Sequence, residues 1–239
     1  MNFGTTLSFK QDELKKAFEI MNNPNKKFYL IDGVIGAGKT TLIRRLEEYM
    51  NRNNMNVKAI YEPVDVWNET KALQYFYEDI PGHCYEFQTF TFITRIKRVL
   101  SCLIENPDCD IYLLERSIWT DRHVFFELLK PSFGDVRIEM YNQWCEVWEY
   151  LMPLKPTCWI FLDTSIDETM NRINGRNRDG ESKISIEYQK ALYEKHLEFY
   201  KSLDTQGVVI KIVPKELMDM PFNTDNNAIK TLYEWIFHN

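Results

Sequence analysis

Gly33-Val34-Ile35-Gly36-Ala37-Gly38-Lys39-Thr40 lies between the apolar run Phe28 to Ile31 and a helical period over 39 to 52, and its reading decides the fold. The stretch fits G-x-x-x-x-G-K-[ST] in the strand-to-helix setting which that spacing requires. Its glycines let successive backbone N–H groups turn inward around phosphate oxygens, and the helix that starts there adds its positive end. Lys39 would reach the outer phosphates and the Thr40 hydroxyl would ligate magnesium. Gly33, Gly36, Ala37, Gly38, Lys39, Thr40 and the adjoining Thr41 are therefore the expected phosphate contacts.

Outward from this loop, short apolar runs alternate with longer helical periods, the pattern of a parallel sheet wrapped by helices. Strands are expected over 28–31, 57–61, 111–114, 158–162 and 208–213. Helices are expected near 39–52, 83–105, 119–130, 135–151, 165–174, 184–203 and 226–237. Residues 1 to 26 form an N-terminal extension with a short amphipathic stretch and no assignable chemistry, and 27–239 form one domain. That assignment suits 239 residues with 44% hydrophobic composition.

The net charge of −6 and pI near 5.4 exclude a broad nucleic-acid surface, so any phosphate site is local. Five cysteines, none in a short-spaced pair, read as reduced thiols. No apolar run of membrane-spanning length occurs, and a cytoplasmic location is expected.

Ligands of open α/β sheets gather where strands end at their carboxyl side. The second strand runs into Glu62-Pro63-Val64, with Trp67 following. A carboxylate there can take the proton of an attacking hydroxyl, although a Glu-Pro pair alone is more often a turn. The third ends in Glu115-Arg116-Ser117, with Asp121-Arg122-His123 close behind; such charge density binds a ligand or forms a local ion-pair network. Arg172, Arg176 and Arg178, loosened by Gly175 and Gly180, suit either a lid over a transferring phosphoryl group or a solvated face.

Along the helix over 83–105, Gln88, Thr91 and Arg95 share a stripe beside a broad apolar face, while Thr94, Lys97 and Ser101 fall on the far side. An amide donor and acceptor at Gln88 could grip a base edge or simply border the helix. Asp79-Ile80-Pro81-Gly82 mimics a GTPase D-x-x-G element, but no N-K-x-D follows to read guanine.

In this order the motifs resemble the deoxyribonucleoside kinase family, over roughly residues 28 to 205. The resemblance implies an α/β P-loop kinase fold, with a five-stranded parallel sheet flanked by helices and an arginine-rich lid. It implies ATP as donor with Mg2+, a deoxynucleoside acceptor, nucleotide salvage, and a homodimer without nucleic-acid polymer or membrane. By similarity Glu62 is the general base, with Arg116 and Lys39 at the reacting oxygens, and Thr40 and Glu115 hold the metal.

Arg172, Arg176 and Arg178 match the lid. Tyr77 and Glu181 match sugar 3′-hydroxyl contacts, and Gln88 would pair with a base held between Phe125 and a wall including Phe87 and Trp67. Arg95 and Asp121 are the pair carried by members that prefer deoxycytidine or purines over thymidine. Thr91 is bulkier than the usual small residue, His123 replaces a common tyrosine, and Asp32 replaces a frequent glutamate. The rival readings are a nucleoside monophosphate kinase of thymidylate kinase type and a catalytically silent nucleotide-binding subunit.

Overall fold

Five consecutive buried side chains after Lys27 make β1 (Lys27–Asp32) a strand that only a sheet covered on both faces can hold. In the computed structural model, which describes residues 9–176 and 181–238, β1 pairs in parallel with β3 (Ile111–Glu115) and β4 (Cys158–Leu162). β2 (Val57–Ile60) and β5 (Ile210–Val213) form the edges, giving the order β2-β3-β1-β4-β5. The neighbours of β1 thus belong to connections running in opposite directions, which opens a crevice at its carboxyl end, where the glycine-rich loop sits.

The helices are α1 (Gln11–Asn22), α2 (Lys39–Arg52), α3 (Val64–Glu69), α4 (Ala72–Glu78) and α5 (Ile80–Glu105). After β3 come α6 (Ile118–Thr120), a π-helical turn (Asp121–Phe126), α7 (Glu127–Leu129) and α8 (Asp135–Leu151). α9 (Ile166–Arg176), α10 (Ile186–Asp204), α11 (Lys215–Met218) and α12 (Asn226–His238) complete the order. No helix among the described residues is long and apolar enough to cross a membrane.

Several boundaries differ from those read in sequence. Tyr61 lies beyond β2, and Val208 and Val209 precede β5. α5 begins three residues before the expected start because Asp79 caps it, accepting from the Gly82 N–H at 3.2 Å, with Pro81 in the first turn. The D-x-x-G stretch is thereby a helix cap. Thr94 is buried rather than on an open face, because α3 packs there and the Trp67 indole N–H donates to Thr94 Oγ1 at 2.9 Å. α1 buries Ala17, Ile20 and Met21 in the core against α5, so part of the N-terminal extension packs with the sheet domain.

Candidate active site

The loop between β1 and α2 is held open by its own backbone geometry. Gly36 has φ 81°, and a Cβ there would stand 2.6 Å from the Thr169 carbonyl oxygen; Gly38, φ 95°, caps α2. A side chain at either place would distort the turn. Lys39 Nζ donates to the Gly33 and Val34 carbonyls at 3.1 and 3.0 Å, and the Thr164 hydroxyl and Arg172 Nη1 donate to Ala37 O at 3.0 and 3.3 Å. With these carbonyls engaged, and the Ala37 N–H spent on Val34 O at 3.2 Å, the remaining N–H groups of the loop are left for a ligand in the cleft.

Strand ends bring the charged residues alongside. Thr40, on the first turn of α2, donates to Glu115 Oε1 at 2.7 Å. Arg116, immediately after β3, adopts a left-handed φ of 64°, a conformation costing a non-glycine residue about 1–3 kcal/mol. Its guanidinium lies 4.6 Å over the Phe125 ring, with Nε 3.4 Å from Glu62 Oε1. Buried Nε and Nη1 of Arg116 have no hydrogen-bond partner among the described residues, so donors stand ready where β3 meets the cleft.

From α5, Arg95 spans the centre: Nη2 donates to Glu62 Oε1 at 2.9 Å and Asp121 Oδ1 at 3.1 Å, Nε to Asp121 Oδ2 at 2.7 Å, and Nη1 to the Glu115 carbonyl at 3.0 Å. The wide π-helical turn presents both Asp121 and Phe125 to the cleft, as such turns do at functional sites. Across from them Arg176, at the end of α9, makes a two-pronged contact with Glu181 at 2.6 and 2.7 Å.

Lys39, Thr40, Glu62, Arg95, Glu115, Arg116, Asp121, Phe125, Arg176 and Glu181 line one cavity of about 420 Å³, a size that fits a small ligand. A family model described as deoxynucleoside kinase matches residues 29–235. The chain belongs to the deoxynucleoside kinase family. A probable deoxycytidine kinase of Fowlpox virus is 33% identical over 168 residues, covering 70% of this kinase and 68% of the viral chain. The deoxyadenosine kinase of Dictyostelium discoideum is 30% identical over 191 residues, covering 79% and 73%. Deoxycytidine kinase 2 of Gallus gallus is 26% identical over 231 residues, covering 85% of each chain. The kinase is accordingly a phosphotransferase acting on a deoxynucleoside with a nucleotide as donor.

Electrostatics around Glu62, Lys39 and Glu115 in this kinase's cavity are set by burial and by the charges they face. Burial raises the Glu62 carboxyl, but Arg116, Arg95 and Lys39 outweigh it and hold it at about 2. Burial and the charge of Arg116 bring Lys39 down to about 7, against Glu62, Glu115 and Asp32. Burial and then Glu62 lift Glu115, against Lys39. An anionic phosphate at the loop would favour the charged ammonium of Lys39.

Of the residues expected from sequence, Gly36, Gly38, Lys39, Thr40, Thr41, Glu62, Trp67, Tyr77, Phe87 and Gln88 line the cavity. So do Thr91, Arg95, Glu115, Arg116, Asp121, Phe125, Arg172, Arg176 and Glu181. Gly33 and Ala37 shape the loop from behind, and Arg178 lies outside the described residues. His123 stacks on Phe199 at 5.3 Å. Leu73, Phe76 and Tyr188 also line the cavity and were not singled out in sequence. Phe76 stacks on Phe87 at 4.4 Å, extending the aromatic wall.

Proposed function

We propose that the kinase transfers the γ-phosphoryl group of ATP to the 5′-hydroxyl of a deoxynucleoside, with cytosine or a purine preferred to thymine. The observation that carries this reading is Glu62, paired with both Arg95 and Arg116, in the same cavity as the glycine-rich loop, with neutral aromatic walls on the acceptor side. Glu62 accepts the hydroxyl proton as the oxygen attacks. Arg116, Lys39 and the lid residues Arg172, Arg176 and Arg178 offset charge on the transferring group and its leaving oxygens.

Tyr77 and Glu181 take the sugar 3′-hydroxyl. The base slides between Phe125 and the wall of Phe87 and Trp67. Gln88 is buried with its Oε1 lacking a partner among the described residues, which leaves an acceptor for a base edge. Asp121 would accept from an exocyclic amine, which thymine lacks.

A magnesium ion fits Thr40 and Glu115: a hydroxyl and a carboxylate 2.7 Å apart give hard oxygen donors beside the phosphate cradle, and this metal takes the rest of its shell from phosphate and water. When bound it would neutralise charge on the donor's phosphates.

A coupled assay with ATP and magnesium, offering four deoxynucleosides beside their monophosphates, tests the reading. Turnover of deoxycytidine or a purine deoxynucleoside is expected, at least tenfold above thymidine in kcat/KM. Activity confined to monophosphates would overturn the assignment.

A homodimer is part of the same proposal. α8 exposes Val136, Met140, Trp144, Val147, Tyr150 and Leu151 along one face, a stripe that self-association would cover. Val147→Glu should shift the mass from dimer to monomer in light scattering while the fold stays intact. A monomeric wild type would remove this part.

A further inference from the structure

Side chains hold the carbonyls of the glycine-rich loop at several positions, and three of those side chains come from far along the chain. Lys39 holds Gly33 O and Val34 O, while Thr164 and Arg172 hold Ala37 O. Ile35 O is held by Gln189 of α10, whose Nε2 donates to it at 2.6 Å. Gln189 is fully buried, and the same Nε2 donates to Thr169 Oγ1 of α9 at 3.3 Å. The Thr169 hydroxyl donates onward to Ile166 O at 2.7 Å, so it acts as acceptor toward Gln189 and fixes which end of the amide faces the loop.

In a trans peptide the carbonyl and the next N–H point opposite ways, and no cis bond occurs among the described residues. Turning the Ile35 carbonyl outward toward Gln189 therefore turns the Gly36 N–H inward, and Ile35 and Gly36 both line the cavity. We propose that Gln189 is a positioning residue for the phosphate cradle: it aims the Gly36 N–H at the donor's phosphates and registers α9, which carries Arg172 and Arg176, against the loop. This rests on the reading of the loop as the donor's phosphate site. It gives α10, the helix that follows the lid, a part in donor binding separate from acceptor binding.

Two variants of similar length test it in the full chain: Gln189→Met, which lacks the amide, and Gln189→Glu, which sets a carboxylate oxygen against the Ile35 carbonyl. Calorimetric titration with tripolyphosphate and with ATP should show binding weaker by about five- to tenfold in Gln189→Met, and weaker still in Gln189→Glu. Donor KM should rise in step while deoxynucleoside KM stays within about twofold. Tripolyphosphate affinity within twofold of wild type in a folded variant overturns the proposal, as does an equal rise in both KM values, the mark of general loosening.

Should neither variant fold, the wild-type amide resonance of Gly36 decides. A shift among the largest on adding tripolyphosphate is expected, and an unresponsive Gly36 amide overturns the proposal. A wild type that phosphorylates no deoxynucleoside would sink the acceptor assignment alone, because anion binding still reports on Gln189.

Discussion

Glu62→Gln should slow turnover by roughly two to four powers of ten while leaving deoxynucleoside KM near its wild-type value. The amide keeps the shape of the side chain and can still accept from Arg95 Nη2, 2.9 Å from Oε1 in the native site, but it cannot take a proton. The pH dependence separates this role from a merely structural one. Burial works against the Glu62 charge, yet Arg116, Arg95 and Lys39 hold the carboxyl at about 2, so the base is ionised across the neutral range. The wild-type kcat profile should show no falling limb from this group between pH 5 and 9.

The stability term has a defined sign. A depressed carboxyl lends stability that is complete above its ordinary value of 4.5 and is lost as pH falls toward 2. Glu62→Gln should therefore be less stable than wild type at pH 7, with the gap narrowing below about pH 4. Steady-state kinetics and urea unfolding at both pH values check the two statements, and an unchanged rate removes Glu62 from the mechanism.

Strands built from Leu, Ile and aromatic residues were readable because a buried parallel strand needs continuous apolar composition; β1, β3 and β4 fall where those runs lie. α3 and α4 left no such trace. At six and seven residues each, they are too short to establish a period, and their buried Trp67, Leu73, Phe76 and Tyr77 carry no helical spacing that would mark the elements. The same shortness hid the surface that buries Thr94, which is set by α3 rather than by anything within α5.

The site residues tied to the loop motif and to strand ends were legible by position. Their mutual pairing was not, because Arg95 meets Glu62 and Asp121 only once β2, α5 and the π-helical turn converge. Tyr188 and Gln189 had no signal at all. On an amphipathic helix the one looks like core and the other like its border, and only the packing of α10 against the loop turns both inward.

The Arg95–Asp121 pair should show strong coupling in both stability and base choice. Asp121 is 2% exposed and gives both carboxylate oxygens to Arg95, which also carries the Glu62 contact. Arg95→Met strands the buried Asp121 carboxylate, leaves Glu62 to Arg116, and should cost about 3–5 kcal/mol, the usual penalty for removing one member of a buried pair. Burial already lifts the Asp121 carboxyl against the pull of Arg95, so the lone carboxyl would take up a proton and limit the loss. Asp121→Ala alone leaves Arg95 with Glu62 and should cost less.

The double variant removes both the orphaned carboxylate and its partner, so its loss should fall below the sum of the single losses by about 2 kcal/mol in a denaturant cycle. The same change deletes the acceptor for an exocyclic amine and leaves an apolar corner able to take the thymine methyl. Competition between deoxycytidine and thymidine should then shift toward thymidine by at least tenfold in relative kcat/KM. Additive stability losses would mean that the two residues act independently. A double variant with wild-type base preference would locate discrimination elsewhere, with the buried acceptor of Gln88 as the remaining polar group against the base.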